Sequence, residues 1–112
     1  MEVKSKSWGL EDLYEKNSCF DIKKIIISAK QTRDLQQEPR RHLVLICMSG
    51  LAKIAYLTNG RSAERYLKPG EMMTISAGLG IAVSSLDAET ILVEVSSVPV
   101  EEPIKKRYTN RD

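Results

Sequence analysis

The chain holds one histidine, His42, and two cysteines, Cys19 and Cys47, so few of its side chains could bind a metal or attack a substrate. His42 closes the run Glu38-Pro39-Arg40-Arg41-His42, with Gln36 just upstream. Arginines in a loop suit bidentate contacts to phosphate or carboxylate, and a glutamine adds neutral donors and acceptors. With no second imidazole or thiolate at ligand spacing, His42 reads as a residue at the start of a strand, not as a metal ligand or general base. The cysteines lack CxxC spacing and sit among apolar neighbours. They read as free, buried thiols of a reducing compartment, which makes a cytoplasmic location the expectation. Lys105-Lys106-Arg107 reads as a solvated tail and Met72-Met73 as core filling. Gly78-Leu79-Gly80 lacks the third glycine and the strand–helix setting of a phosphate loop, and the sequence has no nucleophile elbow, Walker loop or zinc knuckle.

The elements that must position these residues are strands. Ser7–Lys16 admits a helical turn, though Trp8, Leu10, Leu13 and Tyr14 suit a short strand nearly as well. Phe20–Ala29 contains Ile25-Ile26-Ile27, three β-branched residues that favour a strand apolar on both faces. Gln31–Arg41 is polar, with one proline, and predicts a loop or irregular strand. His42–Ser49 is a second two-faced apolar strand, ended by Gly50. Leu51–Leu57 and Ser62–Leu67 flank Asn59-Gly60, the strongest short-range hairpin signal, because a type I′ turn needs positive φ at both central residues. Lys68-Pro69-Gly70-Glu71 and Ala77-Gly78-Leu79-Gly80 mark further turns around Met72–Ile75. Ile81–Ser85 and Thr90–Ser96 complete about eight short strands. That pattern predicts an all-β barrel or sandwich.

Length and charge bound the function. A chain of 112 residues fits one domain, with a core over about 8–98 and a polar tail at 99–112. Seventeen basic against fifteen acidic residues leave a net charge of only +2, too weak a field to imply nucleic acid or an anionic membrane. No apolar run approaches the ~20 residues that span a bilayer, and the first sixteen residues have no apolar signal-peptide segment.

Leu67-Lys68-Pro69-Gly70-Glu71 through Ala77-Gly78 resembles the second motif of the cupin family, with Ser76 where the family usually has proline. Val44–Met48 and Ser49-Gly50 fit the ending of the first motif. Ser7-Trp8-Gly9, the ending Glu94-Val95-Ser96-Ser97 and Arg107-Tyr108 look like one subgroup, the C-terminal domain of type II phosphomannose isomerases. The resemblance covers about Trp8 to Arg111 and implies a single-domain, small cupin-type jelly-roll barrel.

Those isomerases hold a divalent metal with a His-x-His pair, a glutamate and a second-motif histidine. Here the histidine pair falls on Glu38 and Arg40, the glutamate on Leu43, and the last histidine on Ile81. Two ligand positions have become aliphatic and two have become an acid and a base, which reads as a metal site packed shut. The expectation is therefore a metal-free, non-catalytic cupin-domain protein without a cofactor. It would bind a sugar, a sugar phosphate or a protein partner, with Gln36, Glu38, Arg40, Arg41 and His42 at the cup mouth. The alternatives are a mannose-6-phosphate isomerase-like sugar-phosphate isomerase or epimerase with an altered metal site, and a structural or regulatory homodimer with a packed barrel. The resemblance also implies a homodimer, joined through Leu43–Met48 or the N-terminal strand.

Overall fold

The structure is a computed structural model that describes residues 2–35 and 41–97. The tail expected at 99–112 and the loop residues Gln36, Glu38 and Arg40 lie outside those residues. The described residues form ten strands: β1 (Glu2–Lys6), β2 (Gly9–Lys16), β3 (Phe20–Ile27), β4 (Thr32–Leu35), β5 (Leu43–Ser49), β6 (Ala52–Thr58), β7 (Arg61–Leu67), β8 (Met72–Ile75), β9 (Ile81–Ser84) and β10 (Thr90–Ser97). They form a six-stranded sheet, ordered β1-β2-β3-β10-β5-β8, and a four-stranded sheet, ordered β4-β9-β6-β7. Every pairing is antiparallel. Among the described residues no helix is long and apolar enough to cross a membrane.

Strand alternation builds the core between the sheets. In β3 Ile25 and Ile27 turn inward and Ile26 outward; in β5 Leu43, Leu45 and Cys47 turn inward. Ala52 and Ile54 of β6, Leu67 of β7, Met73 and Ile75 of β8, Ile81 and Val83 of β9 and Leu92 of β10 complete the cluster. Leu43 and Ile81, the aliphatic residues at two expected ligand positions, are 9% and 5% exposed and belong to this one core.

The turns follow their chemistry. Asn59 and Gly60 have φ of 53° and 76° between β6 and β7, the double positive φ of a type I′ hairpin. Gly9 has φ of 154°, and a side chain there would drive into the Ile26 carbonyl, so β2 needs glycine to enter its pairing with β3.

Four sequence expectations change. Ser7–Lys16 contributes a strand, β2, with no helical turn, and the strand count exceeds the expected eight or so. The polar β1, Glu-Val-Lys-Ser-Lys, has no apolar alternation to announce it. Cys19 is exposed, because Asn17 builds a turn that lifts it out: the Asn17 side-chain oxygen accepts from the N–H groups of Cys19 and Phe20 at 2.7 and 3.0 Å. Met72 is also exposed while Met73 is buried, as adjacent residues on a strand must point to opposite faces.

Candidate functional site

The inward face of the six-stranded sheet changes from apolar to charged across its width. One row runs Met73, Leu45, Glu94, Lys23, Leu13; the next runs Ile75, Leu43, Ser96, Asp21, Lys16. The β5–β8 half faces the four-stranded sheet and is aliphatic. The charges begin at Glu94 of β10 and run over Asp21 and Lys23 of β3 to Glu11 and Lys16 of β2, while Ile25 and Ile27 of β3 stay in the core, and Lys4 of β1 stands opposite Glu11 of β2.

Arg33, on β4 of the facing sheet, reaches across the interior. Its Nη1 donates to Glu94 Oε2 at 2.7 Å, and both side chains are less than a tenth exposed. Nη2 stands 3.8 Å from Glu11, and the guanidinium lies 5.3 Å from the centroid of the Trp8 ring, a cation–π contact. Lys23 Nζ reaches Glu11 at 3.0 Å. Burial alone would raise the Glu11 carboxyl pKa. The Lys23 hydrogen bond and the charges of Lys23, Arg33 and Lys6 outweigh it and hold the group below its ordinary value.

Beside this network lies a cavity of about 280 Å³, lined by Lys4, Glu11, Leu13, Lys16, Asp21, Lys23 and Arg41. Arg41 Nη1 donates to Asp21 Oδ2 at 3.1 Å and to Ser96 Oγ at 3.4 Å. Four cations thus share the cavity with two carboxylates; Glu11 already holds Lys23, with Arg33 beyond it at 3.8 Å, and Asp21 already holds Arg41. Lys4 and Lys16 have no ion-pair partner among the described residues. The arrangement offers an anion two cations without breaking an existing pair, and the two carboxylates remain hydrogen-bond acceptors for hydroxyl groups.

Of the cup-mouth residues expected from sequence, Arg41 lines this cavity. His42 is exposed and stands outside its lining. Its Nδ1 accepts from the Ala77 N–H at 3.1 Å, and its own N–H donates to Ser97 Oγ at 3.1 Å, so it ties β5 to β10 and to the turn after β8. Sequence reasoning missed Lys4, Glu11, Lys16, Asp21, Lys23, Arg33 and Glu94. One signal was available: Glu94 is the lone charge inside Ile91-Leu92-Val93-Glu94-Val95, and a charge buried there needs a partner.

A broader depression of about 760 Å³ lies on the four-stranded sheet, where Asp34, Ala82, Ala55 and Glu64 form one row. Its lining supplies two carboxylates, Tyr56, apolar and small side chains, with neither a cation nor a nucleophilic pair among the described residues.

The divalent metal implied by the isomerase resemblance does not fit this donor set. Leu43 and Ile81 cannot coordinate, and the charged pair inside the barrel places a guanidinium against Glu94. Among the described residues no three histidine, cysteine or acidic side chains converge.

No protein-family model and no curated protein matches the chain. Solved structures do. The capsular polysaccharide assembling protein CapF from Staphylococcus aureus aligns at TM-score 0.78 and 14% identity, over 93% of this chain and 32% of that one. KdgF from Halomonas sp. aligns at 0.74 and 10%, over 90% and 89%. Oxalate decarboxylase from Lactobacillus farciminis aligns at 0.77 and 16%, over 90% and 31%. The chain therefore spans about a third of the first and third of these proteins and nearly all of the second. Two antiparallel sheets closing on one core, superimposable on cupin-fold proteins over nine-tenths of the chain, establish this chain as an all-β barrel of the cupin fold.

Proposed function

We propose that the chain is a non-catalytic, metal-independent binding domain whose cavity between β1, β2, β3 and Arg41 takes a small anionic ligand, a sugar acid or sugar phosphate. The carrying observation is the cation excess: Lys4, Lys16, Lys23 and Arg41 against Glu11 and Asp21 in about 280 Å³. That volume suits a monosaccharide with one anionic group better than a nucleotide or an oligosaccharide. Phosphate or carboxylate would sit on Lys16, Lys4 and Arg41, and sugar hydroxyls on Glu11 and Asp21. The isomerase resemblance supports the sugar skeleton. The aliphatic Leu43 and Ile81 remove the Lewis acid that isomerisation would require, so binding without turnover is the reading the residues support.

The test is calorimetric or NMR titration of wild-type protein with sugar phosphates, uronic acids and their neutral parent sugars. Anionic ligands should bind and shift residues of β2 and β3, and the neutral parents should bind at least about tenfold more weakly. Lys16→Ala and Arg41→Ala should each weaken binding by a comparable factor. Equal affinity for charged and neutral sugars, or binding unchanged in both variants, would overturn the assignment.

A further inference from the structure

The outer face of the six-stranded sheet is largely apolar. Ile26 on β3 stands beside Ile91 on β10, and Val93 on β10 stands beside Ile46 on β5, which stands beside Met72 on β8. Ile22 and Val95 pair within the same face. Leu10 and Met72 are 38% and 51% exposed on it. A continuous apolar surface of this kind marks a contact surface.

Three charges interrupt the face, and the strands fix their order. Going outward from β10, the first is Lys24 on β3, beside Val93. The next two lie on β2: Asp12 opposite Lys24, and Glu15 opposite Ile22. None of the three forms an ion pair among the described residues. Glu15 accepts from the Asn17 side-chain amide at 3.1 Å, and Asp12 Oδ1 is buried with no described donor. A buried acceptor needs its donor from elsewhere.

The sequence that follows β10 carries the matching groups. β10 ends at Ser97, two residues beyond Val95 and therefore on the same face of the strand. Fifteen residues follow, beginning Val98-Pro99-Val100-Glu101-Glu102-Pro103-Ile104-Lys105-Lys106-Arg107-Tyr108. Away from β10 this segment presents two acids and then three bases; in the same direction the face presents one base and then two acids. Pro99 and Pro103 lack the N–H that strand pairing uses, so the segment suits crossing a face better than adding a strand to an edge. Its reach is sufficient. Two strand spacings put β2 about 10 Å from β10, and Asp12 lies four residues back along the strands, about 13 Å, a diagonal of roughly 16 Å. The eight residues from Ser97 to Lys105 extend up to about 26 Å.

We propose that residues 98–108 fold back over the outer face of the six-stranded sheet as an intramolecular strap. Val98 and Val100 pack on the apolar surface around Val95, Glu101 and Glu102 meet Lys24, and Lys105, Lys106 and Arg107 meet Asp12 and Glu15. Continuity with β10 and the matched order of charges select this segment over a separate partner or a second copy of the chain. The cavity lies on the opposite face of β2 and β3, so the strap stands apart from the ligand reading.

The test is carbodiimide cross-linking of the full chain, which joins carboxylates to amines in contact, read by peptide mass spectrometry. The expected products join Glu15 to Lys105 or Lys106, and Lys24 to Glu101 or Glu102. In an equal mixture of ¹⁴N and ¹⁵N chains each cross-linked product should carry a single label. Ile104→Asp together with Tyr108→Asp changes only the tail, and should lower both cross-link yields about fivefold or more. The same variant should shift the methyl NMR signals of Ile22, Val93 and Val95 and leave those of Leu45 and Ile54 in place. Absence of both cross-links, or outer-face methyl signals unchanged in the variant, would overturn the strap. Products carrying both labels would overturn it in favour of a second copy's tail on this face.

Discussion

Arg33 and Glu94 are 61 residues apart in the chain and 2.7 Å apart in space, and they decide what the barrel interior is. A pair this buried contributes less than its Coulomb energy, because both ions have left water. Breaking it is another matter. Glu94→Ala would leave the guanidinium facing only Glu11 at 3.8 Å and the Trp8 ring, and should cost about 3–5 kcal/mol in urea unfolding. Replacing both partners, Arg33→Met with Glu94→Leu, should cost far less, since neither charge is then stranded. Equal losses in the two proteins would show that the pair acts through packing alone. Glu11 supplies the pH dependence. Its folded pKa is lowered, so its contribution is present above the unfolded carboxyl value and fades as pH falls through the folded one. Lys23→Ala removes the hydrogen bond that lowers it. In that variant the carboxyl should titrate at higher pH by NMR, and the stability lost on acidification should be smaller than in wild type, because less of the carboxylate's stabilisation is there to lose. Glu94 was legible in the sequence as a lone charge in an apolar strand. Its partner was not, because Arg33 lies in the polar stretch Gln31–Arg41, whose composition reads as solvent-facing.

At the scale of elements, the hairpins carry most of the register. Gly60 has open space around its Cα, so a side chain there meets nothing; the penalty is conformational, from a φ of 76°. Gly60→Val should cost about 1–2 kcal/mol in chemical denaturation. Gly9→Ala should cost more than Gly60→Val, because the added methyl collides with the Ile26 backbone and β2 would have to separate from β3. A reversed order would mean that β2 is a loosely held edge and not a wall of the cavity. These turns explain why the all-β fold could be read from sequence: Asn59-Gly60 and Pro69-Gly70 impose reversals whatever surrounds them. The cavity could not be read the same way. Its lining comes from β1, β2, β3 and Arg41, and only the sheet order brings these together. Lys4 and Lys16 look like ordinary surface lysines until β1 pairs with β2 and β2 with β3.

Among the described residues the barrel interior is aliphatic on one side and charged on the other, and the aliphatic side includes Leu43 and Ile81, two of the four positions at which the isomerase resemblance places a metal ligand. Leu43 lies between Ile75 and Ser96, and Ile81 lies beside Tyr56, inside the same cluster as Leu45 and Ile54. Leu43→Ala should cost about 2–5 kcal/mol, the range for a packed core leucine. Leu43→Glu should cost at least as much, because the carboxylate would enter an apolar wall with no donor within the cluster. The same geometry sets the expectation for metal. With aliphatic groups on β5 and β9 and a guanidinium held by Glu94, a divalent cation would find repulsion and no ligand set among the described residues. Elemental analysis of untagged protein should give well below one equivalent of manganese, iron, cobalt, nickel or zinc. The two measurements constrain each other. Stoichiometric metal that survives mild chelation, together with a Leu43→Glu protein as stable as wild type, would mean that the interior near Leu43 is a hydrated site able to hold a cation. That result would put the alternative, sugar-phosphate isomerisation, ahead of binding without turnover. Metal-free protein with a destabilised Leu43→Glu variant would leave the charged cavity at β1–β3 as the part of the barrel equipped to meet a ligand.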